Sequence, residues 1–230
     1  MNKIAWEFYA ISYDNAKGFL PYKEMIEDVY RELDVKPNGV YLDAGCGTGE
    51  LLKRLKNGEN PKVYGIDFSI LMLKIASKKL KNRENVFLGY EDLNKNLKFK
   101  PNFFDGIACI HVLSAIENPR LLLQEFYRIL KPGGKLVVCD LKKGFSYKPL
   151  INSFKASIHN ERFKGLELIF HFPILGLFNI LQDLEMKKKG KDFFTKEMLE
   201  NLFKDVGFSV TKIKETYSSQ SILISGKKNK

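Results

Sequence analysis

The segment Val40-Tyr41-Leu42-Asp43-Ala44-Gly45-Cys46-Gly47-Thr48-Gly49 is a short apolar run that ends in closely spaced glycines and leads into a helical stretch, Glu50 to Lys56. Glycine lets a backbone approach a ligand closely and take torsions that other residues avoid. The spacing departs from the dinucleotide fingerprint G-x-G-x-x-G. Here the third glycine, Gly49, comes one place early, and Glu50 stands where that pattern has glycine. A carboxylate there would lie near a helix N-terminus, where a pyrophosphate should sit. The loop therefore suits a ligand without a pyrophosphate. Asp43 could attract a cationic ligand or simply cap the loop backbone. Asp67 ends the next apolar run about twenty residues after Gly45, the offset at which an acid accepts hydrogen bonds from ribose hydroxyls. Its other reading is a cap on the helix that follows.

Further candidates lie downstream. His111 follows the apolar run 104–110. Neutral imidazole can take a proton near pH 7, so His111 is a candidate general base, a substrate contact or a satisfied structural residue. His159 and His171 fall in an aromatic segment and are candidates for lining a substrate pocket. Cys46, Cys109 and Cys139 form no CxxC pair and join no Cys/His cluster, which argues against a disulfide framework or a metal site. Cys46 reads as a small filler, and the other two as buried strand residues.

These residues need a scaffold, and the chain alternates strand and helix patterns. Strands are predicted at 40–44, 62–67, 85–88, 104–110 and 135–140. Between them fall a helix from Ile70 to Leu80 that Ser69 could cap and a helix from Arg120 to Leu130 behind Pro119. Lys131-Pro132-Gly133-Gly134 reads as a turn. Repeated strand–helix units with near-continuous apolar strands imply a parallel sheet covered on both faces. Such sheets bind ligands at the C-terminal ends of their strands. Residues 3–34 read as two helices broken between Gly18 and Pro21. Thr195 opens a late helix that Gly207 ends, and 209–213 and 221–225 alternate like a closing β-hairpin. Residues 144–194 contain no convincing strand and read as an apolar, aromatic helical insert.

Composition bounds the function. The chain has 230 residues with 44% apolar content, enough for one sizeable globular domain. Its net charge is +11, with Lys far exceeding Arg. A scattered Lys excess serves solubility or a weak contact with an anionic membrane surface more readily than base-reading. The start, MNKIAWEFYAISYD, lacks the long apolar core of a signal peptide. Residues 166–181 are the most apolar, yet they are shorter than the ~20 residues of a spanning helix and contain Glu167, His171, Pro173 and Asn179. A cytoplasmic protein, peripherally membrane-associated at most, is expected.

The segments DAGCGTG, YGIDFS, EDLNKNLKF, FDGIACIHVL and LKPGGKLVV occur in order across roughly residues 38–140. Together they resemble the successive motifs of class I S-adenosylmethionine-dependent methyltransferases of the small-molecule branch. The resemblance implies an α/β fold: a three-layer Rossmann-like sheet of mostly parallel strands with an antiparallel C-terminal strand. It implies one methyltransferase domain, 1–230. Within it lie an N-terminal helical segment (1–36), a cofactor-binding core (37–143), a helical insert acting as substrate lid (144–194) and a C-terminal helix and hairpin (195–226). It also implies roles. The loop Asp43, Ala44, Gly45, Cys46 and Gly47 would hold the methionine part of S-adenosylmethionine. Asp67 would bind the ribose. Phe68 and Met72 would flank the adenine, and Asp92 and Leu93 would meet its polar edge. Ile110 and His111 would stand beside the methyl group. Tyr13 resembles an N-terminal tyrosine that closes over the cofactor in many relatives, and would touch cofactor or substrate, or anchor the N-terminal helices to the core. Met72 could equally be core, and Asp92 a turn residue.

One departure matters. Many relatives carry an acid and a His just after the position of Val112-Leu113, where this chain has Ser114-Ala115. A catalytic group cannot be carried over from those places. The activated methyl of a sulfonium mainly needs an aligned nucleophile, and His111 is the candidate base if the nucleophile is an oxygen or carbon acid. The crowding of Phe163, Phe170, Phe172, Leu175 and Phe178 in the insert favours a small or lipid-like apolar acceptor. RNA methylation is the runner-up. The Asn/Asp-Pro-Pro-Tyr/Phe motif of base-amine methyltransferases is replaced here by Ile110-His111-Val112-Leu113. A non-catalytic cofactor-binding partner subunit is a reading of a different class, and a nicotinamide oxidoreductase is a third reading, disfavoured by the glycine spacing. No metal is expected, and the oligomeric state is not legible.

Overall fold

The computed structural model describes residues 20–55, 60–81, 84–146, 148–150, 152, 184, 187, 188 and 192–229. Tyr13, His159, His171 and nearly all of the 144–194 insert lie outside the described residues, as does the first of the two expected N-terminal helices.

The apolar periods become elements where expected. In chain order these are α1 (Leu20–Leu33), β1 (Val40–Ala44), α2 (Glu50–Leu55), β2 (Lys62–Asp67) and α3 (Ile70–Lys79). They continue as β3 (Val86–Tyr90), β4 (Phe104–Ile110), a 3-10 turn (Leu113–Ala115), α4 (Pro119–Ile129), β5 (Leu130–Leu141), α5 (Lys196–Val206), β6 (Phe208–Thr216) and β7 (Ser221–Lys228). Caps explain several boundaries. Ser69 accepts the Met72 N–H at 3.1 Å and starts α3. Asn118 accepts from Leu121 and starts α4. Thr195 accepts from Met198, and Gly207, at φ 107°, ends α5 in the left-handed region.

The strands form one seven-stranded sheet in the order β3-β2-β1-β4-β5-β7-β6. Strands β1 to β5 pair in parallel, and β7 runs antiparallel to both its neighbours. Side chains alternate between two cores, as the two-residue period of a strand demands. Tyr41, Ala108 and Val137 pack with α1 and α2 on one face; Leu42, Cys109 and Val138 pack under α4 and α5 on the other. This is the expected Rossmann-like three-layer arrangement.

Two local readings change. The turn at Lys131–Gly134 lies inside β5. There the register jumps from Phe104↔Leu130 to Gly106↔Lys135, so the extra residues form an irregularity in the ladder and not an exit from it. The closing hairpin is longer than 209–213 and 221–225, because pairing runs on to Thr216↔Ser221. Its tip places Tyr217, Ser218 and Ser219 at φ 55°, 52° and 58°, three consecutive residues in a region that costs L-residues energy.

Helix α1 is held to the sheet by charge as well as by its apolar face. Glu32 meets Lys135 at 2.7 Å, Lys212 at 3.1 Å and the Ser225 hydroxyl at 2.8 Å. Burial pushes the Glu32 carboxyl up, but hydrogen bonds from Lys135, Ser225 and Lys212 outweigh it and hold the group below the usual carboxylate range. The side chains of Glu32 and Lys135 are only 11% and 17% exposed, so this clamp is little screened by water. Lys204–Glu200, at 59% and 38%, is an ordinary surface pair. Glu32→Ala should therefore cost about 1–3 kcal/mol in denaturant unfolding, and Glu200→Ala within about 0.5 kcal/mol. Equal effects would contradict the clamp.

Candidate functional site

The chain leaves β1 toward β2 on one side and returns at β4 on the other, so a crevice opens at the C-terminal ends of these neighbours. The glycine loop fills it. The Gly45 and Cys46 amides both donate to the Ile66 carbonyl, at 2.8 and 2.9 Å. Gly45 sits at φ 78°, and a Cβ there would fall 2.4 Å from Cγ2 of Val112 in the loop after β4. Only glycine lets these two loops touch. Gly49, at φ 84°, packs against Ala76 and Leu80 of α3. Its spacing thus serves helix packing.

Asp67 joins the first loop to the second. One carboxylate oxygen accepts the Gly47 N–H at 2.9 Å and the other the Ser69 N–H at 2.8 Å. Each carboxylate oxygen carries more than one acceptor site, so one oxygen can serve a backbone amide and a ligand hydroxyl together. The loop after β3 is fixed from α4. Arg128 donates to the Leu97 and Phe99 carbonyls at 2.9 Å, and Glu125 accepts the Leu97 N–H at 3.0 Å. Asp92 in this loop accepts the Asn94 N–H at 3.0 Å.

At the end of β4 the backbone turns through His111, whose φ of 53° is left-handed. Its N–H donates to the Cys139 carbonyl at 2.7 Å. Its Nε2 lies 2.8 Å from the Ser221 hydroxyl, and its ring meets Tyr217 edge-on at 5.2 Å. Burial lowers its pKa to about 4, so the ring is neutral at pH 7 and a poor proton acceptor. Beside it, Asp140 at the end of β5 accepts three hydrogen bonds: from the Ser114 hydroxyl at 2.8 Å, the Ser114 N–H at 2.9 Å and the Leu141 N–H at 2.8 Å.

One cavity gathers these groups. Asp43, Gly45, Cys46, Gly47, Asp67 and Phe68 line it, together with Met72, Asp92, Leu93, Ile110 and His111. Ala44 does not; its side chain is buried in the core. Tyr13, His159 and His171 lie outside the described residues. The cavity also takes in Tyr22, Ile26, Ser114, Asp140, Phe145 and Tyr217, none of which the sequence reading singled out as site residues. Tyr22 and Ile26 carry only a helical-core signal. Asp140 does carry one, being an acid at the C-terminal end of a parallel strand.

Asp43, Asp67 and Asp92 make the walls acidic, which favours a cationic ligand over a polyphosphate. With the bare backbone at Gly45 and Gly47, these residues fit an adenosyl sulfonium. Among the described residues no cluster of His, Cys, Asp and Glu could hold a metal ion.

The state of His111 has a measurable consequence. The folded protein keeps the imidazole neutral down to about pH 4, whereas the unfolded chain takes up the proton near the ordinary histidine value of 6.5. Stability attributable to His111 is thus present above 6.5 and lost as pH falls toward 4. His111→Gln should lose about 2–3 kcal/mol less than the parent over that window, read by thermal or denaturant unfolding. Parallel pH curves would refute the half-buried neutral ring.

Comparison with known proteins agrees with this geometry. The methyltransferase-domain family model matches residues 42–138. A demethylmenaquinone methyltransferase of Staphylococcus saprophyticus is 31% identical over 206 residues, covering 87% of this chain and 83% of the relative. Another, from Staphylococcus haemolyticus, is 28% identical over 222 residues, covering 94% and 88%. The crystal structure of a SAM-dependent methyltransferase from Aquifex aeolicus superposes with a TM-score of 0.62 at 21% identity, covering 92% of this chain and 90% of that one, and supports the fold. Its acidic, glycine-floored cavity and its similarity along most of its length to these enzymes make this chain a member of the S-adenosylmethionine-dependent methyltransferases.

Proposed function

We propose that this chain methylates a ring carbon of a lipid-like quinone-type acceptor in its reduced, quinol form. The observation that carries this reading is similarity to demethylmenaquinone methyltransferases along most of both chains. The cavity supports it. Beyond the acidic end, Tyr22, Ile26, Leu141, Phe145 and Tyr217 offer apolar and aromatic surface around His111. The oxidised ring is electron-poor; only the reduced ring has a carbon nucleophilic enough to accept a methyl group.

In this reading Asp43, Gly45 and Gly47 hold the methionine part of the cofactor. Asp67 takes the ribose hydroxyls, while Phe68, Met72, Asp92 and Leu93 enclose the adenine. Ile110 and His111 border the reacting end. Bound there, S-adenosylmethionine supplies a methyl group already activated on sulfur. The protein's task is alignment and exclusion of water. His111, neutral and bonded to Ser221, serves as a wall and acceptor contact and not as the base. Residues 144–194 are proposed as the substrate lid. No helix among the described residues is long and apolar enough to cross a membrane. A lipid-like acceptor would be met at a membrane surface, where a net charge of +11 favours anionic lipid.

The test is transfer of labelled methyl from S-adenosylmethionine to a ring-demethylated naphthoquinol, the same compound oxidised, and RNA. Turnover on the quinol alone is expected; turnover on RNA alone would overturn the proposal. Asp67→Ala should weaken S-adenosylmethionine and its demethylated product alike by about 1–3 kcal/mol in calorimetry. Unchanged affinity would remove Asp67 from the ribose role.

A further inference from the structure

Methylating a quinol or a phenol releases a proton, and His111, its Nε2 engaged with the Ser221 hydroxyl and its pKa lowered by burial, is ill suited to take it. A second polar pair lines the same end of the cavity. Ser114 is 6% exposed and Asp140 fully buried, yet both reach the cavity wall. The Ser114 hydroxyl donates to Asp140 Oδ1 at 2.8 Å, which leaves its oxygen lone pairs available to accept. The Ser114 and Leu141 amides hold the carboxylate in place.

Resting on the acceptor reading above, we infer that Ser114 and Asp140 form a proton relay for the acceptor. The acceptor's O–H proton passes to Ser114 Oγ while the Ser114 hydroxyl proton passes to Asp140 Oδ1. The acceptor becomes an anion and Asp140 a neutral acid. The methyl–sulfur bond then breaks as the methyl–carbon bond forms, and the acceptor's negative charge cancels with the sulfonium's positive one. The ring-carbon proton then moves to the ring oxygen, which restores aromaticity and the hydroxyl, and Asp140 later returns its proton, the net proton of the reaction, to water. Ser114 touches the acceptor; Asp140 acts through it and is a positioning and proton-holding residue.

The surroundings suit a carboxyl that gains and loses a proton near neutrality. Burial raises the Asp140 pKa to about 6, against the lowering pull of hydrogen bonds from Ser114, Leu141 and Leu113. The titratable neighbours are Cys109 on β4, Cys139 on β5, Asp43 on β1, and His111 and Tyr217 at the cavity rim. Burial, with the charge of Asp140 adding to it, pushes both thiols well up, so they stay neutral. His111 is neutral above about pH 4.

The experiment compares the parent, Ser114→Ala, Ser114→Thr and Asp140→Asn in the full chain. Acceptors are a ring-demethylated naphthoquinol, a plain phenol, a nitro-substituted phenol already ionised at assay pH, and an amine. For the first two, Ser114→Ala should lower kcat about a hundredfold with unchanged calorimetric affinity for S-adenosylmethionine. Ser114→Thr, which keeps the hydroxyl, should restore most of the rate. The parent's kcat should rise with pH through about 6 as Asp140 ionises, and Ser114→Ala should lose that limb. The pre-ionised phenol should be insensitive to Ser114→Ala, a contrast that a merely structural serine would not produce. Independently of turnover, carboxyl carbon resonances should contain one group titrating near 6 that Asp140→Asn removes. Parental kcat in Ser114→Ala, equal losses on ionised and un-ionised acceptors, or an Asp140 midpoint in the ordinary carboxylate range would each overturn the relay. Failure of the quinone reading is seen separately, in the parent alone: phenol methylated without the quinol removes that reading and still tests the relay. Turnover on the amine only, or on nothing, overturns both.

Discussion

A buried carboxylate with one oxygen on each of two loops organises this site. Asp67 spans the gap between the glycine loop and the start of α3 by accepting the amides of Gly47 and Ser69. Both amides would otherwise point into the crevice unsatisfied, at a cost of about 1–3 kcal/mol each. Ser69 in turn caps α3, and α3 supports Gly49 from below. The glycine loop can therefore lie flat over the end of β2 and press Gly45 against Val112. The cavity is a product of that chain of contacts.

Chemistry is divided along the cavity by the strand order. The acids on β1, β2 and the loop after β3 stand to one side of the crevice, where the parallel strands all end together. The other side is built by β4, β5 and the hairpin, and it carries His111, Ser114, Asp140 and Tyr217. The first group makes its side of the cavity acidic, and the second leaves its side less charged and more aromatic. Parallel β4–β5 pairing is what brings Ser114 and Asp140 within hydrogen-bond reach, although they are 26 residues apart in the chain.

The first half of the site was legible in the sequence because it is local. Asp43, the glycines and Asp67 follow strands in order, and residue type alone states what each can bind. The second half was legible only in part, at Ile110 and His111, because the rest depends on neighbours that the chain meets late. His111 and Ser221 are 110 residues apart. Residue type alone left His111 open as base, substrate contact or structural residue, because the enclosure that lowers its pKa is a tertiary property. The same limit explains Lys131–Gly134, where Pro and Gly mark a break in the backbone without revealing that the strand resumes in register. Ala44 was grouped with its loop although the two-residue period of β1 aims it at the opposite core. Tyr217 gave no signal, since nothing local marks a tyrosine as the tip of a left-handed turn.

That turn bears on how such an enzyme diversifies. Three successive residues in a disfavoured backbone region hold together only because strands β6 and β7 close beneath them. The hairpin pairs with the parallel half of the sheet through β5 alone. Insertions or exchanges at its tip would therefore reshape the Tyr217 side of the cavity while the Asp67 side stays intact. A lineage could change what it methylates by remodelling one loop, without relearning how to hold the methyl donor.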